Sequence, residues 1–195
     1  MRNAFLFLAL LSLPVSAAPA TFTVVSSKTD LNLMTVESQT AVENFTGRTS
    51  SVSGKLTFDP VASVGSGSVT VNGASITTGV PPRDGHMRGA EWLNFDKTPA
   101  VKFETLSVKR LTGDIYEVRG NLTLNDVTKA VVTRATVKYT PASPAIKALG
   151  ITGNALAVST SFPIKLSDYN VKNPRIDQGQ VSNTLTVSLK FIASS

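Results

Sequence analysis

The residues best equipped for chemistry lie between positions 78 and 96. This stretch holds the chain's sole histidine, His86, and its sole tryptophan, Trp92. Two arginines, Arg83 and Arg88, and three carboxylates, Asp84, Glu91 and Asp96, accompany them. His86 and Asp84 are a base and an acid two residues apart, and serines are abundant. A hydrolytic triad also needs a nucleophile held against the base. No Gly-x-Ser-x-Gly elbow is present to supply one. One histidine and no cysteine cannot build a standard structural zinc site. Gly65-Ser66-Gly67 reads as a lone glycine-rich turn that does not lead from a strand into a helix, so the nucleotide-cradle reading fails. The sequence therefore predicts no catalytic residue, no metal and no cofactor.

The 78–96 stretch joins two alternating segments, and a connection of that length is usually functional or disordered. Trp92, Leu93 and Phe95 need burial, which argues against disorder. One reading makes it a structural crossover. Arg83 then pairs with Asp84, His86 bonds a backbone group, and Trp92 plugs one end of the fold. The other reading makes it a rim that gates an interior and meets a polar head group. The two are compatible.

The elements that position this stretch are strands. Leu156, Val158, Phe162, Ile164 and Leu166 share one parity, while Ala157, Ser159, Ser161 and Lys165 share the other. Pro163 lies on the outward parity and cannot donate to a ladder, so it marks an edge or a bulge. Leu185, Val187, Leu189 and Phe191 alternate with Thr184, Thr186, Ser188 and Lys190. Such alternation describes a sheet with one dry and one wet face. Further strands are predicted over 22–25, 30–36, 51–58, 68–77, 101–109, 116–124 and 127–139. Turns are expected at 26–29, 59–60, 65–67, 112–114 and 125–126. Helix is scarce. Thr40 to Glu43 has the form of a capping box, predicting a short helix over 40–45 ended by Gly47. Single helical turns are expected at 87–93 and 144–149. Local pattern leaves two architectures, a closed antiparallel barrel or two packed sheets.

The N-terminus has the three-part layout of a secretory signal peptide over 1–18: Arg2, an apolar run from Ala4 to Leu13, then Pro14 and the small residues Val15-Ser16-Ala17. The run is too short to span a bilayer. The remaining 19–195 is one ordinary domain, exported to the periplasm or secreted. Net charge is +6, but the cations are scattered, with no block of five or six. That fits a solvated surface with mild attraction to anionic lipid, and no nucleic-acid partner. An outer-membrane barrel is disfavoured because the outward parities are mostly Thr, Ser, Lys and Arg.

Several segments resemble the YceI-like family of polyisoprenoid-binding proteins. They are Thr78-Gly79, Arg83-Asp84-Gly85-His86-Met87-Arg88, Asn94-Phe95-Asp96, Pro99 and Val101-Lys102-Phe103. Gly120-x-Leu-Thr, ending at Thr123, with Val127-Thr128-Lys129, resembles a second signature. Gly54-x-Leu-x-Phe-Asp, ending at Asp59, and Leu166-Ser167-Asp168-Tyr169-Asn170-Val171 match flanking segments. Asp126 and Asn170 stand where the family commonly has glycine.

The resemblance implies an all-β, eight-stranded, antiparallel lipocalin-like barrel with one to three short helices. It implies a long isoprenoid ligand, such as a prenyl quinone or polyprenyl phosphate. An eight-stranded barrel is near the size at which side chains either fill the interior or leave room for one small ligand. Parity supplies the inward set: Leu56, Phe58, Val69, Val71, Ile76, Val101 and Phe103 in the first half. Leu122, Leu124, Leu156, Val158, Phe162 and Ile164 complete it. Arg83, Asp84, His86, Met87, Arg88, Trp92 and Phe95 form the expected rim, with Arg83, His86 and Arg88 meeting the head group. Other expected associations are transient membrane-surface contact and a homodimer. The rival reading is an extracellular interaction module with a filled core, and interior volume separates the two.

Overall fold

A computed structural model describes residues 19–195. The 1–18 segment, read above as a signal peptide, lies outside the described residues. Ten antiparallel strands form one sheet that closes on itself. They are β1 (Ala20–Val24), β2 (Leu33–Gln39), β3 (Asn44–Thr49), β4 (Val52–Asp59), β5 (Val64–Asn72), β6 (Ala100–Thr112), β7 (Ile115–Leu124), β8 (Val127–Thr140), β9 (Ala155–Lys165) and β10 (Thr184–Ser194).

The ring has eight positions, because two are each shared by a pair of strands. β10 pairs with β2 through Leu185 to Lys190 and with β1 through Ala193 and Ser194. β1 in turn pairs with β4, and β2 with β3. Asn32 holds the point where β10 passes from one partner to the other. Fully buried, its Oδ1 accepts from Ile192 N at 3.1 Å and its Nδ2 donates to Val25 O at 2.9 Å. These bonds satisfy backbone groups that the split would otherwise leave unpaired inside the wall.

The first end of the barrel carries the β4–β5 and β6–β7 turns and α2 (Pro144–Ala148). The second carries the 73–99 crossover with α1 (Pro81–Arg88), the β7–β8 turn, and the 166–183 connection with α3 (Pro174–Asp177). Asn125 (φ 49°) and Asp126 (φ 57°) are both left-handed, the two-residue turn suited to a twisted hairpin. Asn170 closes a 3-10 turn over Leu166–Tyr169, also left-handed at φ 61°.

Three expectations about local structure are corrected. Residues 40–45 are not a helix. Thr40 Oγ1 accepts from Val42 N and Glu43 N as a cap does, but Asn44 Oδ1 accepts from Thr40 N at 3.0 Å and the chain turns back as β3. Glycines 65 and 67 do not make a turn; they lie inside β5, and the turn falls at 60–63, where Asp59 Oδ1 accepts from Val61 N and Ala62 N at 2.8 Å. Gly67 serves close strand approach: at φ 137°, a Cβ there would run into the Lys55 carbonyl on β4. The helical turn expected at 87–93 lies earlier, at Pro81–Arg88, because two prolines fit the first helical turn, where their missing N–H is not needed.

Candidate functional site

Inside the ring runs a cavity with about 170 Å³ open to the centre of a water-sized sphere. It is partly open to solvent, and its surface is almost wholly apolar. The thirteen inward positions read from parity all line it. β2 and β10, whose strands were predicted without assigning inward residues to a site, add Met34, Val36, Leu185, Val187, Leu189 and Phe191. The missed signal was the same period-two alternation. Val108, Val118, Ala135 and Val137 were also missed on β6, β7 and β8.

Among the described residues no ionisable side chain lines the lumen. The polar residues along its wall are Thr57, Ser66, Thr105 and Thr160. Thr160 is tied by a 2.8 Å hydroxyl contact to Thr133 and donates to Arg134 O at 2.9 Å. β8 and β9 pair only from Ala135–Thr160 to Thr140–Ala155, and then part. Pro163 lies on the parted stretch, at a level where β9 has no β8 partner. The 3-10 turn at Leu166–Tyr169 packs against β8 there, with Leu166 and Tyr169 buried. Burial, with the nearby Asp168 charge, pushes the Tyr169 hydroxyl up to about 12.

Glycine makes room for a lumen side chain at one defined place. The Phe103 ring packs against Gly120 on β7, and any Cβ at that position would occupy the ring's space. At the second end Phe95 packs on Gly73 in the same way. Phe95, Leu93 and Ile76 are buried there, and Leu93 and Ile76 reach the cavity. These three close the end; Trp92, expected as the plug, is only half-buried and packs against their outer side of the core.

The crossover residues serve other ends. Arg83 does not pair with Asp84. Its guanidinium bonds the Glu43 carboxylate and stacks 4.5 Å from the Phe45 ring centroid, tying α1 to the β2–β3 hairpin. Asp84 is buried and accepts from Thr77 Oγ1 at 2.6 Å, Thr78 N at 2.8 Å and Thr78 Oγ1 at 2.7 Å. Burial pushes its carboxyl up, but those three bonds, with the Arg88 charge, outweigh it and hold the group below its ordinary value. Arg88 reaches Asp96 at 4.0 Å. Met87 packs against the core. His86 is exposed, and its side chain makes no hydrogen bond among the described residues. With Glu91, Trp92, Asn173, Arg175 and Gln178 it lines a shallow polar cleft on the outer side of the second end. None of the seven expected rim residues lines the lumen. Among the described residues no three His, Asp or Glu side chains group as metal ligands, and no helix is long and apolar enough to cross a membrane.

Comparison with known proteins agrees with this architecture. A UPF0312 protein of Pseudomonas paraeruginosa is 33% identical over 144 residues, covering 73% of this chain and 70% of its own length. Protein YceI of Salmonella arizonae is 37% identical over 119 residues, 60% of this chain and 59% of its own length. Among solved structures, Burkholderia cenocepacia BcnA superposes with a TM-score of 0.73 at 21% identity, covering 88% of this chain and 99% of that one. A polyisoprenoid binding domain from Saccharophagus degradans, implicated in plant cell wall breakdown, gives 0.63 at 15% identity over 91% and 99%. The two structures establish the likeness of fold. The model of the YceI-like domain matches residues 22–193, nearly the whole barrel, and the chain belongs to that family.

Proposed function

We propose that the barrel holds the tail of an isoprenoid lipid, of prenyl quinone or polyprenyl phosphate type, as carrier, store or scavenger, and performs no reaction. The observation that carries this reading is the lumen itself: an apolar wall enclosing space that side chains do not fill. A protein interior without a ligand is packed close to crystal density. A persistent apolar void costs dispersion contacts along its whole lining. A hydrocarbon restores them. Each buried CH₂ contributes about 0.8 kcal/mol, so one prenyl unit is worth roughly 3–4 kcal/mol before ordering costs.

The absence of lumenal charge among the described residues fits selection by the tail, with the head group outside the cavity. The neighbour from Saccharophagus degradans is a polyisoprenoid binding domain of the same fold, which supports the reading. The signal-peptide layout of 1–18 supports work in the periplasm or outside the cell. Native mass spectrometry of freshly purified protein, followed by lipid extraction, tests the reading. One prenyl lipid per chain is the expected result. A bare chain that also fails to take up added geranylgeraniol contradicts it.

A further inference from the structure

β5 and β6 pair from Asn72–Ala100 to Gly67–Thr105, where their pairing stops. Beyond that point Val64 to Ser66 bond only to β4, and Ser107 to Thr112 only to β7, past a register shift at Thr105/Ser107. The β4–β5 and β6–β7 hairpins therefore part toward their tips, leaving a slot in the wall at the first end. Among the described residues one side-chain hydrogen bond spans the tips, Arg110 Nη1 donating to Ser63 Oγ at 3.5 Å, and inside the wall the Phe58 ring of β4 meets the Tyr116 ring of β7 edge-on, 5.9 Å between centroids.

The cavity reaches this slot. Gly65, Ser66, Thr105 and Val108 line it there, and Ser66 is itself exposed to solvent. Gly65 lets β4 and the Phe58 ring approach closely, since a Cβ on it would stand 3.0 Å from Thr57 O and 3.2 Å from Phe58, with Val108 3.9 Å away across the seam. Exposed large apolar residues gather at the same place. Of nine among the described residues, five lie on the two parted hairpins: Val61, Val64, Leu106, Leu111 and Ile115. Val61 and Leu106 are each 67% exposed. Beside them Lys109 and Arg110 make no ion pair among the described residues. Isolated exposed apolar residues need no explanation, but a cluster at a cavity mouth does.

We infer that the β5–β6 slot is the entry for the tail and that its apolar lips dock on an anionic bilayer surface. This inference rests on the lumen holding a lipid tail. A tail passing through water would expose its full apolar area, whereas lips seated at the acyl boundary let it slide from bilayer to lumen without that cost. Lys109 and Arg110 add attraction to anionic head groups, which salt screens.

The test uses the full mature chain, vesicles of phosphatidylethanolamine with phosphatidylglycerol, and a dansyl-labelled geranylgeranyl chain. Wild type should float with the vesicles and extract the labelled chain from them. A Leu106→Ser/Leu111→Ser variant should lose about tenfold or more of vesicle binding, from the apolar area withdrawn. It should still take up the same label from dilute detergent, because neither leucine lines the lumen. Lys109→Glu/Arg110→Glu should bind phosphatidylglycerol vesicles more weakly, and the gap should close at high salt. Uptake from detergent with no vesicle binding or extraction by wild type overturns the docking inference and leaves the lumen reading standing. A dimer in sedimentation that the Leu106→Ser/Leu111→Ser variant splits, without vesicle binding, overturns it in favour of a second copy on the same lips. No uptake from any source overturns both readings.

Discussion

The lumen and the 78–96 crossover divide the molecule's chemistry unequally. The lumen is built of residues without chemistry, and in the proposed function its space is what binds. The crossover holds the histidine, the tryptophan and five charged residues, yet several of its side chains serve to anchor the segment itself. Arg83 is fixed to Glu43 and Phe45, Asp84 to Thr77 and Thr78, and Phe95 to Gly73. A concentration of reactive residue types is thus no guide to a reactive site. Polar groups near a core must be paired, and the pairs cluster where an irregular segment has to be anchored.

If that division is right, the two regions respond oppositely to substitution. The largest effect should come from filling the lumen. Val158 is half-buried midway along the cavity wall, so Val158→Trp should displace about one prenyl unit and weaken tail binding by roughly 3–4 kcal/mol. A fluorescence titration with the labelled chain measures this, and circular dichroism should show the barrel intact. Next is Asp84→Ala, which removes the charged acceptor of three part-buried donors on Thr77 and Thr78. It should cost about 2–3 kcal/mol in urea unfolding and leave tail affinity in the folded fraction unchanged. A large drop in affinity with intact stability would move the crossover into the binding site.

The third effect is pH-dependent. The Asp84 carboxyl is held below its ordinary 3.8, so the unfolded chain binds the proton more tightly than the folded one. Its contribution is complete above about pH 4 to 5 and is lost as pH falls through the depressed folded value. Urea midpoints for wild type should fall across that acid range, and Asp84→Asn should flatten the dependence. The smallest effect belongs to His86→Ala. Exposed and without a hydrogen bond, it should change stability by less than about 0.5 kcal/mol and leave tail binding at wild-type strength. A marked loss of binding would make the outer cleft beside Arg175 a head-group subsite.

Legibility followed the same division. Strand parity placed Leu56, Phe103, Leu122 and Val158 on the cavity wall because side-chain direction in a strand is fixed by counting in twos. Asn125-Asp126 was readable because its turn is local. The partners of Arg83 were not, since Glu43 and Phe45 reach it only once the sheet has closed; those of Asp84, Thr77 and Thr78, lie seven and six residues back but in an irregular segment whose path no periodicity sets. The Thr40-x-x-Glu43 signature misled for a related reason. Its threonine bond forms as expected, but Asn44 Oδ1 rather than the Glu43 carboxylate takes Thr40 N, and Gln39 and Asn44 pair across the turn and make it a hairpin. Glycine was ambiguous in the same way: Gly65 and Gly67 signal a turn by composition, while their use is close approach of β5 to β4. The split of β10 between β1 and β2 has no local signature apart from Asn32, whose buried amide becomes meaningful only once both strands are placed.

The most direct test of an occupied lumen is isotope-filtered NMR of labelled protein saturated with unlabelled geranylgeraniol. The account predicts nuclear Overhauser contacts from the tail to methyl groups of Val101, Val158 and Leu189, spread around the ring. Contacts confined to outward residues such as Val132 and Leu149, with the inner methyls unchanged, would contradict it.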